Sequence, residues 1–317
     1  REGSPDWARW QANLGVALST RFEALGQVAD LEGAIDAFRQ ALSVAREGSP
    51  DWASMQANLG VALSTRFEAL GQVADLEGAI DAFRQALSVA REGSPDWASR
   101  QANLGVALRT RFEALGHLDD LEGAIEAYGK ALAVFSPDTF PDYTLNAALP
   151  LGRLLFRRRR PEDLKVAVEV YRRAAPAAQY LYFESLHPGR RQRELRRAQS
   201  IPAYHAYALA SQGEYRAAVE ALEAGRARQL VEALRSEQVQ GRFQDDVALQ
   251  NAWRDLQDAL SRYNHADEGS RPQAEEGVAR ARRAYYDRLR AVFPEFFQAP
   301  AFEQIAQAAA ETPIVYL

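Results

Sequence analysis

The chain has 317 residues, of which 47% are hydrophobic and 26% charged, with a formal net charge of -5. Such a balance belongs to an ordered globular chain and makes no demand for a polyanionic partner. The absence of cysteine excludes a disulfide framework, thiolate zinc sites and, for this chain by itself, cysteine-nucleophile hydrolysis. No apolar run approaches the roughly 20 residues of a membrane span, and no charged-then-apolar leader opens the chain, so no membrane contact and a cytoplasmic setting are expected.

In chain order, the first element is a repeat. Residues 1–45, 46–90 and 91–135 are near copies: the second differs from the first at two positions and the third from the second at eleven. A fixed period of this size marks a solenoid, in which each unit buries its apolar face against the next. Residue 1 is Arg and falls at the repeat register, so the array is expected to continue upstream.

Each repeat reads as two helices. Ser49-Pro50-Asp51-Trp52 puts Ser at an N-cap, Pro at the first helical position and Asp beside the positive helix end. The stripe Trp52, Leu59, Leu63, Phe67 and Leu70 follows at helical spacing, and Gly71 is the expected left-handed stop. Asp75 is expected to cap the second helix, with the stripe Leu76, Ile80, Phe83, Leu87 and Ala90.

Leu14-Gly15 followed by Ala34, Phe38 and Ala41 resembles the tetratricopeptide (TPR) pattern, in which small residues let paired helices approach and an aromatic ring fills the gap. The present period of 45 residues is about 11 longer than the usual TPR period of roughly 34. Gln11, Gln56 and Gln101 stand where that family commonly has an aromatic residue, and Trp7, Trp52 and Trp97, one turn earlier, are expected to do that packing.

A fourth, degraded unit follows, in which Pro141-Asp142-Tyr143, Leu151-Gly152, Ala167, Tyr171 and Ala174 echo the repeat. A fifth helical pair spans about 200–235. From Phe243 to Phe293, the stripes Leu249, Trp253, Leu256, Leu260, Tyr263 and Val278, Ala281, Tyr285, Leu289, Val292 flank the turn Asp267 to Pro272. That pattern predicts a helical hairpin with coiled-coil-like packing, of the kind that projects as a spacer or lever. The run Thr312 to Leu317 reads as the first strand of a further domain, as if the chain were a fragment.

The expected fold class is therefore all-α, an α-solenoid of TPR-like hairpins with a 45-residue period, then a long helical hairpin and the start of a C-terminal domain. Its expected divisions are 1–135, 136–235, 236–298 and 299–317.

The segment Leu222 to Leu230, the hairpin after it, and Phe296 to Ile305 leading to Pro313-Ile314-Val315-Tyr316 together resemble the junction of TPR-CHAT proteins. There a TPR array precedes a caspase-like peptidase domain. The resemblance implies that this chain is the regulatory arm of such a protease, whose catalytic His and Cys would lie downstream. The alternative is a free-standing scaffold or adaptor.

No catalytic constellation is expected within the chain, and no cofactor or metal. His117, His187, His205 and His265 lack partners at metal-ligand spacing, and the acidic pairs Asp245-Asp246 and Glu275-Glu276 read as solvated faces. From Arg153 to Arg197 there are 13 Lys and Arg against five Asp and Glu, whereas residues 1–135 carry 12 against 19. The basic patch Arg157, Arg158, Arg159, Arg160, Arg190, Arg191, Arg193, Arg196 and Arg197 has two readings: a site for an acidic peptide or phosphates, or helix-terminal and solvated charge. Base-stacking aromatics are sparse there, so nucleic acid is the weaker option.

Opposite the packing stripe, the first helix of each repeat carries Arg9, Asn13, Val16 and Thr20, with Ser19 beside them. By the TPR resemblance this helix lines a concave groove for an extended peptide, with Asn13, Asn58 and Asn103 as backbone-reading contacts. Arg9/Ser54/Ser99, Trp10/Met55/Arg100 and Ser19/Ser64/Arg109 vary on the same helix and would tune the partner. Near-identical repeats also make contacts between chains, and so oligomers, conceivable.

Overall fold

The computed structural model describes residues 3–184, 200–224, 241–266, 270–294 and 302–311. All regular secondary structure among the described residues is helical, as hairpins repeated along the chain. Two compact units are present, Arg1–Phe135 and Ser136–Leu317.

The first unit holds α1 (Pro5–Leu25), α2 (Val28–Leu42), α3 (Pro50–Leu70), α4 (Val73–Val89), α5 (Pro95–Leu115) and α6 (Leu118–Val134). The punctuation works as the sequence implies. Ser4, Ser49 and Ser94 each accept a hydrogen bond from the backbone N–H of Trp7, Trp52 and Trp97, and a proline follows each cap. Gly26, Gly71 and Gly116 end these helices in the left-handed region, at φ 67°, 71° and 76°, where a Cβ would strain the chain.

The second helices start earlier than Asp75 suggests. α4 begins at Val73, its N-cap Gln72 makes no side-chain capping bond, and Asp75 lies buried inside the first turn. Its carboxylate accepts from Arg66 Nε at 2.9 Å and from Nη2, so it serves as a clamp between α3 and α4. Arg21 and Asp30 (2.7 Å from Nε), and Arg111 and Asp120 (2.8 Å), repeat the arrangement. A two-pronged guanidinium contact combines with the positive helix end to make burial of this carboxylate tolerable.

Close approach within each hairpin depends on glycine. A Cβ built on Gly15 or Gly60 would lie 2.7 Å from the ring of Phe38 or Phe83, and on Gly105 3.0 Å from Tyr128. The second helices are the more deeply buried: Leu76, Ala79, Ile80, Ala82, Phe83 and Ala86 are all at most 4% exposed. α2 packs on α1 and on α3, and α4 on α3 and α5, while the first helices touch one another directly. Trp52 and Trp97 are buried, as expected of residues that pack in place of the aromatic one turn later, and Trp7 is half-buried. Gln56 and Gln101 are buried too; Gln56 Nε2 donates to Gln85 Oε1 at 2.6 Å. Leu70, assigned to the stripe, is instead exposed, because the helix end carries it past the partner helix.

The second unit starts with α7 (Pro141–Arg158) and α8 (Asp163–Glu184). The degraded repeat keeps the glycine contact, Gly152 against Tyr171, and the clamp, Arg158 to Asp163 with Nε at 3.0 Å. It loses the serine cap, since Phe140 precedes Pro141, and ends on Arg159 at φ 59° where its predecessors use glycine. α9 (Ile201–Ala210) joins this pair through the rings of Phe156, Tyr171, Tyr204 and Tyr207.

α10 (Val247–Asn264) and α11 (Arg271–Val292) form the expected hairpin. Rather than projecting, it lies on α8. Tyr286 hydroxyl donates to the Tyr180 carbonyl at 2.7 Å, and the two ring centroids are 4.1 Å apart. Arg282, buried, donates from Nη1 to the carbonyls of Asp138 (3.2 Å) and Thr139. These contacts explain why Arg282 and Tyr286 are buried while the predicted stripe members Ala281 and Val292 are only half-buried. α12 (Phe302–Glu311) meets the helical stretch 215–224, where Glu220 accepts from the Phe302 N–H at 3.1 Å. The predicted strand at 312–317 lies outside the described residues, as do 225–230, 296–300 and the turn 267–269.

Candidate protein-interaction face

The first helices α1, α3 and α5 stand side by side, and the residues predicted to line a groove recur on each at a 45-residue interval. Helix geometry decides which can meet a partner. Asn13 is exposed, and Asn58 and Asn103 are half-exposed; none of the three amides makes a hydrogen bond within the described residues. Each therefore keeps a donor pair and an acceptor uncommitted. The threonines beside them are already engaged, Thr20 Oγ1 donating to the Val16 carbonyl at 3.1 Å and Thr65 to Val61 at 3.0 Å.

Several of the other nominated residues hold the scaffold together. Arg9 pairs with Asp51 at 3.3 Å, bracing α1 to α3. Ser54 Oγ donates to the Pro50 carbonyl at 3.0 Å. Arg109 Nη1 lies 2.7 and 2.8 Å from the two oxygens of Glu113, one turn along the same helix. Ser19 and Ser99 are half-exposed, and Ser64 turns its hydroxyl inward, where it finds no partner.

Trp10, Met55 and Arg100 do not belong to this face. Met55 is 4% exposed and packs against Ala8 and Ala41, and Arg100 Nη1 donates to the Ala86 carbonyl at 3.1 Å. Their register is the seam between a first helix and the second helix of the preceding repeat. Variation there adjusts the stacking of repeats, and sequence spacing alone could not separate it from the outward stripe one residue away.

The basic patch resolves in part. Arg158 is committed to Asp163, whose Oδ2 also accepts the Arg160 backbone N–H at 2.9 Å, so the centre of the run closes the turn between α7 and α8. Burial pushes the Asp163 carboxyl up, but the Arg158 hydrogen bonds, the Arg160 N–H and both positive charges outweigh it and hold the group below its ordinary value. Arg157, Arg159 and Arg160 are exposed at this helix end, and Arg190, Arg191, Arg193, Arg196 and Arg197 lie outside the described residues.

The histidines do not assemble. His117 is exposed at the start of α6; His265 Nδ1 rests 2.7 Å from the Ser261 carbonyl. His205 is held below its usual pKa by burial and, next, by the charge of Arg172; its Nε2 has no partner. His187 lies outside the described residues. No group of three metal-ligating side chains occurs among the described residues, and no described helix is long and apolar enough to cross a membrane.

The Arg–Asp clamp escaped the sequence reading, although an Arg nine residues before an Asp recurs in all three repeats and would have revealed it.

No family model and no curated protein matches this sequence. Solved structures of similar arrangement include MamA protein, at 17% identity and a TM-score of 0.46, with 73% of this chain and 96% of that chain covered. Another is a putative kinesin light chain from Podospora anserina described as having nearly identical TPR-like repeats, at 21% identity and a TM-score of 0.47, covering 73% and 99%. A single-residue variant of that kinesin light chain stands at 21% and 0.46, covering 73% and 98%.

Proposed function

We propose that this chain is a protein-interaction scaffold that holds an extended peptide segment of a partner along the outward faces of α1, α3 and α5. The observation that carries this reading is the recurrence of Asn13, Asn58 and Asn103, whose amides are unspent and equally spaced in sequence. A side-chain amide can satisfy both the N–H and the C=O of a peptide backbone, so one partner could be held at successive points without demanding a particular side chain. Binding to a displayed library of extended peptides tests it. Replacing all three asparagines with alanine is expected to weaken captured peptides at least about tenfold, roughly one lost hydrogen bond's worth, with helix content unchanged. Equal binding by the triple variant, or capture of no peptide, overturns it.

The resemblance of 222–230 and of 296–316 to the TPR-CHAT junction supports a finer reading, in which the chain is the regulatory arm of a caspase-like protease. The partner would favour one arrangement of the repeats, and the α10–α11 hairpin would pass that preference on. Absence of a His and a Cys in a caspase-like α/β context downstream of Leu317 in the gene would overturn it.

A further inference from the structure

The start of α7 departs from its three predecessors at the cap and in the first turn. Phe140 stands at the N-cap where they have Ser4, Ser49 and Ser94, and Tyr143 takes the register of Trp7, Trp52 and Trp97. Loss of a serine cap costs a helix about 1 kcal/mol. The departure has a local counterpart. Phe140 meets the rings of Tyr143 and Tyr263 edge-on, at centroid distances of 6.1 and 6.0 Å, and so reaches from α7 to the end of α10. These rings, with Leu260, Val278 and the buried Arg282, line a cavity of about 140 Å³.

A space of about this volume accepts one benzene-sized group. Its polar lining narrows the occupant further. Glu275 is half-buried, and Asp142 and Asn264 are exposed. The two carboxylates are balanced by Arg282 and by Arg271, whose guanidinium carbon lies 5.6 Å from the Tyr263 ring centroid. Arg282 Nη1 already donates to the carbonyls of Asp138 and Thr139. An occupant of either charge would therefore meet a like charge where water is largely excluded, whereas a neutral ring would not. A hydroxyl on that ring would find an acceptor, because a carboxylate has about four acceptor positions and keeps room for a further donor beside an existing partner.

We propose that this cavity is a binding site for one uncharged, ring-sized group bearing a hydroxyl, the phenol class, with Glu275 accepting the hydroxyl's hydrogen bond. Its walls belong both to α7 and to the α10–α11 hairpin. An occupant thus binds only the arrangement in which the hairpin lies against the start of α7, and it joins Arg282 in fastening the hairpin there.

The full chain is followed by amide exchange and calorimetry with p-cresol, toluene and p-toluate as probes. With p-cresol at about ten times its dissociation constant, exchange in α11 that runs through release of the hairpin is expected to slow about tenfold, with α1–α6 unchanged. p-Cresol is expected to bind at least about tenfold more tightly than toluene, the worth of a hydrogen bond to a charged acceptor, and p-toluate more weakly than p-cresol. Glu275→Leu should remove the preference for p-cresol over toluene, and Glu275→Gln, which still accepts, should restore part of it. N-acetyl-tyrosinamide separates the sources of the ring. Its binding would support a partner's tyrosine side chain, and its exclusion beside bound p-cresol a free small molecule; both uphold the phenol chemistry. No slowing by p-cresol, slowing shared by α1–α6, equal binding of toluene or tighter binding of p-toluate overturns the proposal. An unchanged preference in Glu275→Leu overturns it as well.

Discussion

Gly60 faces Phe83 so closely that a Cβ at position 60 would stand 2.7 Å from the ring. The contact recurs as Gly15–Phe38 and Gly105–Tyr128, and it sets how near the two helices of a hairpin can lie. Alanine is the better helix former by about 1 kcal/mol, whereas overpacking a filled core costs about 1–3 kcal/mol. Gly60→Ala is therefore expected to destabilise the first unit by up to about 2 kcal/mol, seen as a lower denaturant midpoint. Adding Phe83→Leu should recover part of the loss.

The Arg–Asp clamps predict the acid limb of stability. The Arg21 hydrogen bonds hold Asp30 below its ordinary value against the effect of burial, and Asp163 is held low in spite of burial by Arg158 and the Arg160 N–H. A carboxylate depressed in the folded state contributes stability above its unfolded pKa of about 4 and loses it as pH falls through the lower folded value. Chemical unfolding followed from pH 7 to pH 2 should show stability declining below about pH 4. In Asp163→Asn, the second unit should be weaker at pH 7 and lose less on acidification.

Two buried tyrosines should respond oppositely to the same change. Tyr286 donates to the Tyr180 carbonyl, so Tyr286→Phe is expected to cost about 0.5–1.5 kcal/mol. Tyr171 hydroxyl is buried without a hydrogen-bond partner and fills the space a Cβ on residue 152 would take, so Tyr171→Phe is expected to be neutral or stabilising. Thermal unfolding of the two variants side by side distinguishes them.

Arg282 fastens the α10–α11 hairpin to the carbonyls of Asp138 and Thr139. Arg282→Met keeps the buried stem and removes the donors, leaving two carbonyls short of a charged partner at a cost of about 1.5–3 kcal/mol. Faster amide exchange in α11, with exchange in α1–α6 unchanged, would be the signature; uniform exchange across both units would contradict it.

Much of the architecture was legible because it is written in local chemistry. Ser49, Pro50 and Gly71 act through backbone geometry within a few residues, and so the first helices were bounded from sequence alone. Asp75 misled because an acidic residue near a helix start serves equally as a cap or as a first-turn charge, and only its distance from Arg66 in space separates the two. The hairpin stripe was right in period but blind to a third surface, since the burial of Arg282 and Tyr286 depends on α8 and on the turn before α7. On the candidate face, spacing gives only the 45-residue recurrence of Asn13, Asn58 and Asn103; their assignment to a peptide partner comes from the TPR resemblance. Arg109 and Glu113 stand at i,i+4 on one helix, so that pair was open to reading from spacing; that Arg9 would be occupied by Asp51, 42 residues on, was not.

The modular stacking has a mechanical corollary. Each hairpin of the first unit is closed mainly by its own two helices and packs on the hairpin beside it through contacts that repeat from copy to copy. Stretched from its N-terminal end in an optical trap, such a chain yields one hairpin at a time rather than all at once. Every step would release 45 residues, a contour gain of roughly 150 Å at about 3.4 Å per residue. The first unit would then behave as a ruler with evenly spaced graduations, extending under load by counted increments and recoiling by the same ones.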